Sequence, residues 1–389
     1  MKYIRKLDNG KMRQNNVRLI FETLHRERSI TRAGLAEKTR ISAMNVGRIV
    51  DSLIERGLVT EHIRAESGAP GRPGINLMLC CENLLHFGVT LDPEGMSAGL
   101  VDPYGKIHGD FRREFDVRGI PPEEALREVS ESVQQYLTTR DVPVQTMGIA
   151  IPGLVDHKSG IVRISSQLGW RNVPAAELLG AYAGLPLALI ENDAKARAWA
   201  ENCCGISQAY LNSILVKISD GIGVGIMIQG DIYRGKNNMA GEIGHAIINT
   251  NTRLCECGQT GCLQATLTET AIVREARTVR PDISDISGVI EAYQRGEGWA
   301  HRLMEIVCKD ILITINLLAN SFASEALILC GSLVDNYPLI RTLINQAYES
   351  QQSSFLNIDF DLCYSEFGDE GDVIAAAMVS LSHMLKNLA

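Results

Sequence analysis

The first eighty residues set short amphipathic helical patterns between polar breaks. From Asn16 to Leu24 the apolar residues Val17, Ile20, Phe21 and Leu24 recur at helical spacing and define one buried face. Ser29-Ile30-Thr31 offers a side-chain cap for a helix over Thr31 to Lys38, which carries Leu35 and Ala36 inward. After Thr39-Arg40-Ile41, Ser42 caps a third helix whose buried stripe is Val46, Ile49, Val50, Leu53 and Ile54. Gly57-Leu58-Val59 ends that helix and starts a strand. The run Ser67-Gly68-Ala69-Pro70-Gly71-Arg72-Pro73-Gly74 then turns the chain into a second strand, with Ile75, Leu77 and Leu79 alternating. Three helices followed by two strands around such a turn predict a winged helix-turn-helix.

From about Leu84 strands interleave with helices. Phe87 to Leu91, Ser97 to Val101 and a strand near Ile107 read as a meander joined by turns at Asp92-Pro93-Glu94-Gly95 and Asp102-Pro103-Tyr104-Gly105. A helix over Pro122 to Leu137 precedes a buried strand, Met147 to Ile151. The logic repeats with strand Leu187 to Ile190, helix Ala194 to Cys203, and strands Ile214 to Ile218 and Val224 to Ile228. A helical stretch from Leu267 to Phe322 leads to the strand Ala326 to Cys330, and the last helix covers Asp372 to Leu388. Two sets of strands, each followed by helices, predict two α/β lobes with a ligand cleft between them.

The chain has 389 residues, 45% of them hydrophobic and 22% charged. These are globular proportions and exclude a disordered or fibrous protein. The most apolar stretch, Ile311 to Ala323, is interrupted by Asn316 and Asn320 and falls short of the roughly 18–20 residues that cross a bilayer. Neither membrane insertion nor a secretory signal is expected behind the charged start MKYIRKLDNG. The expected location is the cytoplasm.

Net charge is −8, unevenly spread: Met1 to Gly74 holds 15 Lys+Arg against 8 Asp+Glu, leaving 23 against 38 for the rest. A basic head on an acidic body suits a module that meets a polyanion. A helix-turn-helix sets its second helix in the major groove, early residues toward the bases. Ser42, Asn45 and Arg48 are the candidate base readers, and Arg32 and Lys38 the candidate phosphate contacts. Arg72, on a Pro-flanked turn, is placed to enter a narrow minor groove.

Of ten cysteines, three fall in Cys255-Glu256-Cys257-Gly258-Gln259-Thr260-Gly261-Cys262. Three thiolates in eight residues, with glycines that let the backbone curl, can occupy three corners of a zinc tetrahedron. His245, ten residues upstream, is the candidate fourth ligand. Four protein ligands close the site, so the expected zinc is structural, one per chain.

With that cluster in hand, the chain resembles the ROK family of bacterial sugar kinases and sugar-responsive repressors, in the regulator branch that carries an N-terminal winged helix-turn-helix. The matching stretches are Ile151-Pro152-Gly153-Leu154-Val155-Asp156, Glu191-Asn192-Asp193-Ala194, Gly221-Ile222-Gly223-Val224-Gly225, Gly241-Glu242-Ile243-Gly244-His245 and the cysteine cluster. The resemblance implies an actin-like two-lobed (ribonuclease H-like) α/β domain preceded by an all-α/winged helix-turn-helix DNA-binding domain. The expected boundaries are 1–82 for the head, 83–194 plus 371–389 for the first lobe, and 195–370 for the second lobe with its zinc site. It also implies a sugar site at Gly153, Asn192, Asp193, Glu242, His245 and Gln264. Asp193 stands where the kinases have their general base. His245 would give one ring nitrogen to zinc and the other to a sugar hydroxyl. Two positions depart from the family's usual residues: Gln264 replaces Glu, and Lys195 replaces Asn.

The family's kinases hold ATP phosphates on a turn reading Asp, any residue, Gly, Gly, Thr, where this chain has Asp92-Pro93-Glu94-Gly95-Met96. Pro93 lacks an N–H, Glu94 brings negative charge, and Met96 removes a hydroxyl. Ser219-Asp220-Gly221 sets a further acid where kinases have Gly-Thr-Gly. The expectation is therefore no enzyme and no catalytic residue, with Asp193 a vestigial base. The chain would be a repressor that binds operator DNA as a homodimer or homotetramer and responds to a sugar or sugar phosphate. An ATP-dependent sugar kinase, and a regulator governed by a protein partner such as a transporter component, are the alternatives.

Overall fold

The structure is a computed structural model that describes residues 9–63, 75–140, 144–182, 184–247, 253–350 and 359–388. Its head comprises α1 (Asn9–Glu27), β1 (Ile30–Thr31), α2 (Arg32–Thr39), α3 (Ala43–Glu55), β2 (Val59–Ile63) and β3 (Ile75–Leu79). Thr31 Oγ1 accepts the Gly34 N–H and Ser42 Oγ the Asn45 N–H, so both N-caps lie where the spacing predicts. Ile20, Phe21, Leu24, Leu35, Val46, Val50 and Leu53 are fully buried together. Ile49 and Ile54 are only half-buried. The wing is an antiparallel sheet of order β1-β3-β2, one strand more than expected. The turn with Arg72 lies outside the described residues.

The body holds two sheets of one topology. The first is built from β4 (His86–Asp92), β5 (Gly95–Val101), β6 (Ile107–Glu114), α4 (Pro122–Arg140) and β7 (Thr146–Ile151). A small sheet follows, β8 (Leu154–Asp156), β9 (Ile161–Ser165) and β10 (Trp170–Val173), then α5 (Ala175–Gly180) and β11 (Leu187–Asn192). The strand order is β11-β7-β4-β5-β6, with β4, β7 and β11 parallel.

After α6 (Asp193–Cys204) come β12 (Ser213–Ile218), β13 (Ile222–Ile228) and β14 (Asp231–Ile232). The stretch expected to be helical from about Leu267 to Phe322 follows α7 (Gln264–Leu267) and consists of three helices, α8 (Glu269–Arg277), α9 (Ile286–Gln294) and α10 (Gly298–Phe322). Side-chain caps at Thr268 and Asp285 restart the chain there. The second sheet is completed by β15 (Ala326–Cys330) and, after α11 (Ser332–Asp335) and α12 (Pro338–Ser350), by β16 (Asp361–Tyr364). Its order, β14-β13-β12-β15-β16, repeats that of the first.

The last helix, α13 (Gly371–Lys386), returns to the first sheet and lies beside α6, so the two helices fill the space between the sheets. Glycines permit that closeness: a Cβ at Gly148 would sit 1.8 Å from Ala376 O, and one at Gly225 2.3 Å from the Ala198 Cβ. The far ends of both helices meet the head. Leu381 and Leu385 of α13 and Ala200 of α6 belong to one apolar cluster with Val17, Ile20 and Leu24, and Cys203 and Cys204 pack against it. Arg56 Nη1 donates to Leu388 O at 2.7 Å, and Gln14 donates to Lys386 O. His25 Nε2 lies 2.6 Å from Pro103 O, an acceptor only, so that nitrogen carries the proton. The Arg28 guanidinium covers the Tyr104 ring at 3.8 Å.

Candidate functional site

The mouth between the two sheets is a cleft of about 290 Å³. Gly153, Asn192, Asp193, Glu242, His245 and Gln264 all line it. Asn192 ends β11 and caps α6: its Oδ1 accepts the Lys195 N–H at 3.0 Å, and its Nδ2 donates to Gly153 O at 2.9 Å. A single side chain thereby ties the helix start to the Gly153 turn. Asp193 follows on the first turn of α6, where the helix dipole favours a carboxylate.

The sequence reading missed two residues of this cleft. Lys217 on β12 bonds Asp193 Oδ2 at 3.0 Å and Asp372 Oδ2 at 2.7 Å. Burial opposes the Lys217 charge, yet the two carboxylates outweigh it and raise its pKa. Burial likewise disfavours ionised Asp372, but Lys217 and Arg197 hold its pKa below the carboxylate range. Arg197 extends the network, 3.3 Å from Asp372 Oδ1 and 3.7 Å from Asp335. The signal available was a lysine inside the otherwise apolar strand pattern of Ile214 to Ile218.

On the facing side, Glu242 precedes the single turn that carries His245. Its neighbour is Lys195, with Nζ 3.8 Å from Glu242 Oε1 and only 2% of the side chain exposed. Burial lowers the Lys195 pKa and raises that of Glu242, each partly offset by the other's charge. Lys195, standing where the resemblance implies an Asn, thus points its charge at Glu242.

The phosphate-turn counterpart is occupied by its own side chain. Asp92 Oδ1 accepts the Glu94 N–H at 2.8 Å, and Asp92 Oδ2 accepts from Arg112 at 2.8 Å. Across the cleft the Ser332 N–H goes to Ser219 Oγ at 3.0 Å and the Gly331 N–H to Asp335 Oδ2 at 2.9 Å. Asp220 accepts the Thr270 hydroxyl at 3.2 Å.

Beside the cleft, the donor atoms of His245, Cys255, Cys257 and Cys262 all lie within 4.8 Å of one another, and none of the cysteines is in a disulfide. Bonds of about 2.3 Å to sulfur and about 2.0–2.1 Å to nitrogen put tetrahedral donors roughly 3.5–3.8 Å apart. Cys255 Sγ to His245 Nδ1 and Cys257 Sγ to Cys262 Sγ are both 3.7 Å. The cluster fits a metal ion, and Nδ1 is the ring nitrogen on its side.

In the head, Ser42, Asn45 and Arg48 are exposed along the start of α3. Arg32 is held by Asp51 Oδ1 at 2.7 Å and Glu61 Oε1 at 2.9 Å, and Lys38 by Glu27 at 2.6 Å. These two are not brought together with the α3 residues as one open cationic face.

Two sheets of one topology around a polar cleft define the actin-like class. Within it, the chain belongs to the ROK family, whose profile matches residues 97–382. It is 25% identical to the xylose repressor of Bacillus spizizenii over 381 residues, 97% of this chain and 98% of that protein. It is 24% identical to the DNA-binding transcriptional dual regulator NagC of Escherichia coli K12 over 398 residues, 97% of each. The crystal structure of a ROK family transcriptional regulator, a homolog of the E. coli MLC protein, superposes with a TM-score of 0.80. It covers 97% of this chain and 98% of that one at 23% identity, so the head and both lobes share its fold. Among the described residues no helix is long and apolar enough to cross a membrane.

Proposed function

We propose that this chain is a transcriptional repressor of the cytoplasm that binds operator DNA through its winged helix and a sugar in the cleft, without phosphorylating the sugar. The observation that carries this reading is the state of the cleft. The carboxylate at the kinases' base position, Asp193, is clamped by a buried lysine, and the turn that would cradle phosphates has its Glu94 N–H taken by Asp92. A base contributes only where an electrophile is bound, and here both parts of that pair are compromised. End-to-end similarity to repressors supports the DNA-binding half.

Asn192, Asp193, Glu242, His245 and Gln264 would hold sugar hydroxyls, with Gly153 giving the close approach. The metal is proposed to be zinc, held by His245, Cys255, Cys257 and Cys262. It would serve as a structural cross-link that fixes the His245 ring and the loop carrying Glu242. On the DNA, Ser42, Asn45 and Arg48 would face bases. Arg32 and Lys38 would reach phosphates only by leaving their acidic partners, and Arg72 would enter the minor groove from the wing. A homodimer or homotetramer would match a palindromic operator.

The geometry offers a route for the signal. Helices α6 and α13 begin at the cleft, at Asp193 and Asp372, and end against the head; with 12 and 16 residues they span about 18 and 24 Å. A sugar that draws the lobes together would move the ends on which the head rests. Gel shifts on promoter regions flanking the gene, with and without a panel of sugars, test the reading. Expected is a sugar that alters operator binding without ADP release from ATP. A sugar-dependent ADP release abolished by Asp193→Ala would replace the regulator with a kinase.

A further inference from the structure

The charges lining the cleft are unbalanced. Among the described residues that line it, Asp92, Asp193, Asp220, Glu242, Asp369 and Asp372 face it, against Arg112 and Lys217. Both cations are already engaged: Arg112 with Asp92 at 2.8 Å, and Lys217 with Asp193 and Asp372 at 3.0 and 2.7 Å. Lys195, behind them, is turned to Glu242. A phosphate binds where cations or backbone N–H groups stand open. Three N–H groups near the cleft, those of Glu94, Gly331 and Ser332, donate to protein oxygens.

Building on the sugar-sensor reading above, we infer that the effector is an uncharged monosaccharide and that this cleft rejects the phosphorylated form of the same sugar. Rejection is electrostatic. A phosphate dianion entering beside Asp220 and Asp369 meets like charge, the adjoining Arg118 and Arg274 being turned to the Gln167 and Ala265 carbonyls, and taking a partner from Lys217 would expose Asp193 and Asp372 to each other. Hydroxyl groups meet no such obstacle, because carboxylates accept their hydrogen bonds and the Gln264 amide both accepts from them and donates to them. The same charges that disable a polyphosphate cradle therefore sort the ligand as well.

The test is titration calorimetry on the full metal-loaded chain. The panel is glucose, galactose, mannose, xylose and N-acetylglucosamine, each paired with its terminal phosphate ester. Expected is one neutral sugar that binds, with its phosphate at least about 100-fold weaker, a difference of about 2.7 kcal/mol. In the double variant Asp220→Asn, Asp369→Asn that gap should shrink by about tenfold. A phosphate ester that binds as tightly as its parent sugar, or better, overturns the inference while leaving the sensor reading intact. So does a gap that the double variant leaves unchanged. Silence toward every neutral and phosphorylated sugar overturns the inference and the sensor reading together.

Discussion

Replacing Lys217 with methionine keeps most of the side-chain volume and removes one buried charge, which isolates the clamp. In the intact protein the Lys217 side chain is 12% exposed and its ammonium lies 3.0 Å from Asp193 and 2.7 Å from Asp372. Deleting one partner of a buried ion pair costs about 3–5 kcal/mol, because the remaining charge is left uncompensated. Asp372 keeps Arg197 at 3.3 Å, so the lower end, about 3 kcal/mol, is expected. For a lobe-sized unit that is a fall in melting temperature of roughly 6–12 °C. The pH dependence identifies the cause. Asp372 has a depressed pKa in the native protein, so its stabilisation is present above the unfolded carboxylate pKa and fades as pH falls through the native one. Lys217 has a raised pKa, and its contribution is complete at neutral pH, declining only in strong alkali. In Lys217→Met the facing carboxylates repel, and acid relieves that repulsion. The gap between variant and parent should therefore be largest near pH 7.5 and narrow toward pH 5. Melting curves across that range decide it. A variant as stable as the parent at pH 7.5, or a gap that widens on acidification, refutes the clamp.

Other parts of the structure carry their own expectations. Metal analysis of purified protein should find one zinc per chain. Cys262→Ser should abolish that stoichiometry, lower the melting temperature and weaken sugar binding, since His245 loses its anchor; a variant that retains full sugar affinity contradicts that link. Asn192→Ala removes the α6 cap and the Gly153 tether and should cost about 1 kcal/mol, read in denaturant melts. Arg48→Ala and Asn45→Ala, on the exposed face of α3, should each weaken specific operator binding by about 1–3 kcal/mol with unchanged melting temperature; equal loss on non-specific DNA would make them phosphate contacts instead.

What the sequence disclosed was what lies close along the chain. Ser42, Val46, Val50 and Leu53 describe their helix completely, and the cysteine cluster needs only eight residues to show its chemistry. Gly153, Asn192, Asp193, Glu242, His245 and Gln264 line one cleft, because each sits on a turn whose spacing is local. Lys217 was opaque for the opposite reason: its partners are 24 and 155 residues away, so no local pattern marks it as the centre of a network. Strand β1, two residues long, and the strands β8 to β10, of three to five, are too short for alternation to register. The breaks in the helical stretch fall at Thr268 and Asp285, whose capping chemistry the apolar period around them conceals. Net charge likewise does not tell which basic residues are free, and Arg32 and Lys38 prove to lie against acids.

Coupling between cleft and head has a size the structure makes reasonable. Sites coupled through a protein typically exchange about 1–3 kcal/mol, a factor of about 5–150 in affinity. Among the described residues the polar ties between head and body include Arg56 to Leu388 O, Gln14 to Lys386 O, His25 to Pro103 O and Asn83 to Gly57 O. At about 0.5–1.5 kcal/mol each, the loss of two or three on lobe closure covers that range without disturbing the apolar cluster beneath. Arg56→Ala cuts one of them at the end of α13, far from the ligand. We expect sugar affinity of the DNA-free protein to stay as it was, while the factor by which sugar changes operator affinity falls by about fivefold, or about 1 kcal/mol. Calorimetry and gel shifts on the same preparation measure the two quantities. Linkage adds a constraint, since operator must change sugar affinity by the factor with which sugar changes operator affinity. If Arg56→Ala leaves that common factor untouched, the signal does not pass through the end of α13, and the path must be sought at the α6 end, where Cys203 and Cys204 pack against the head.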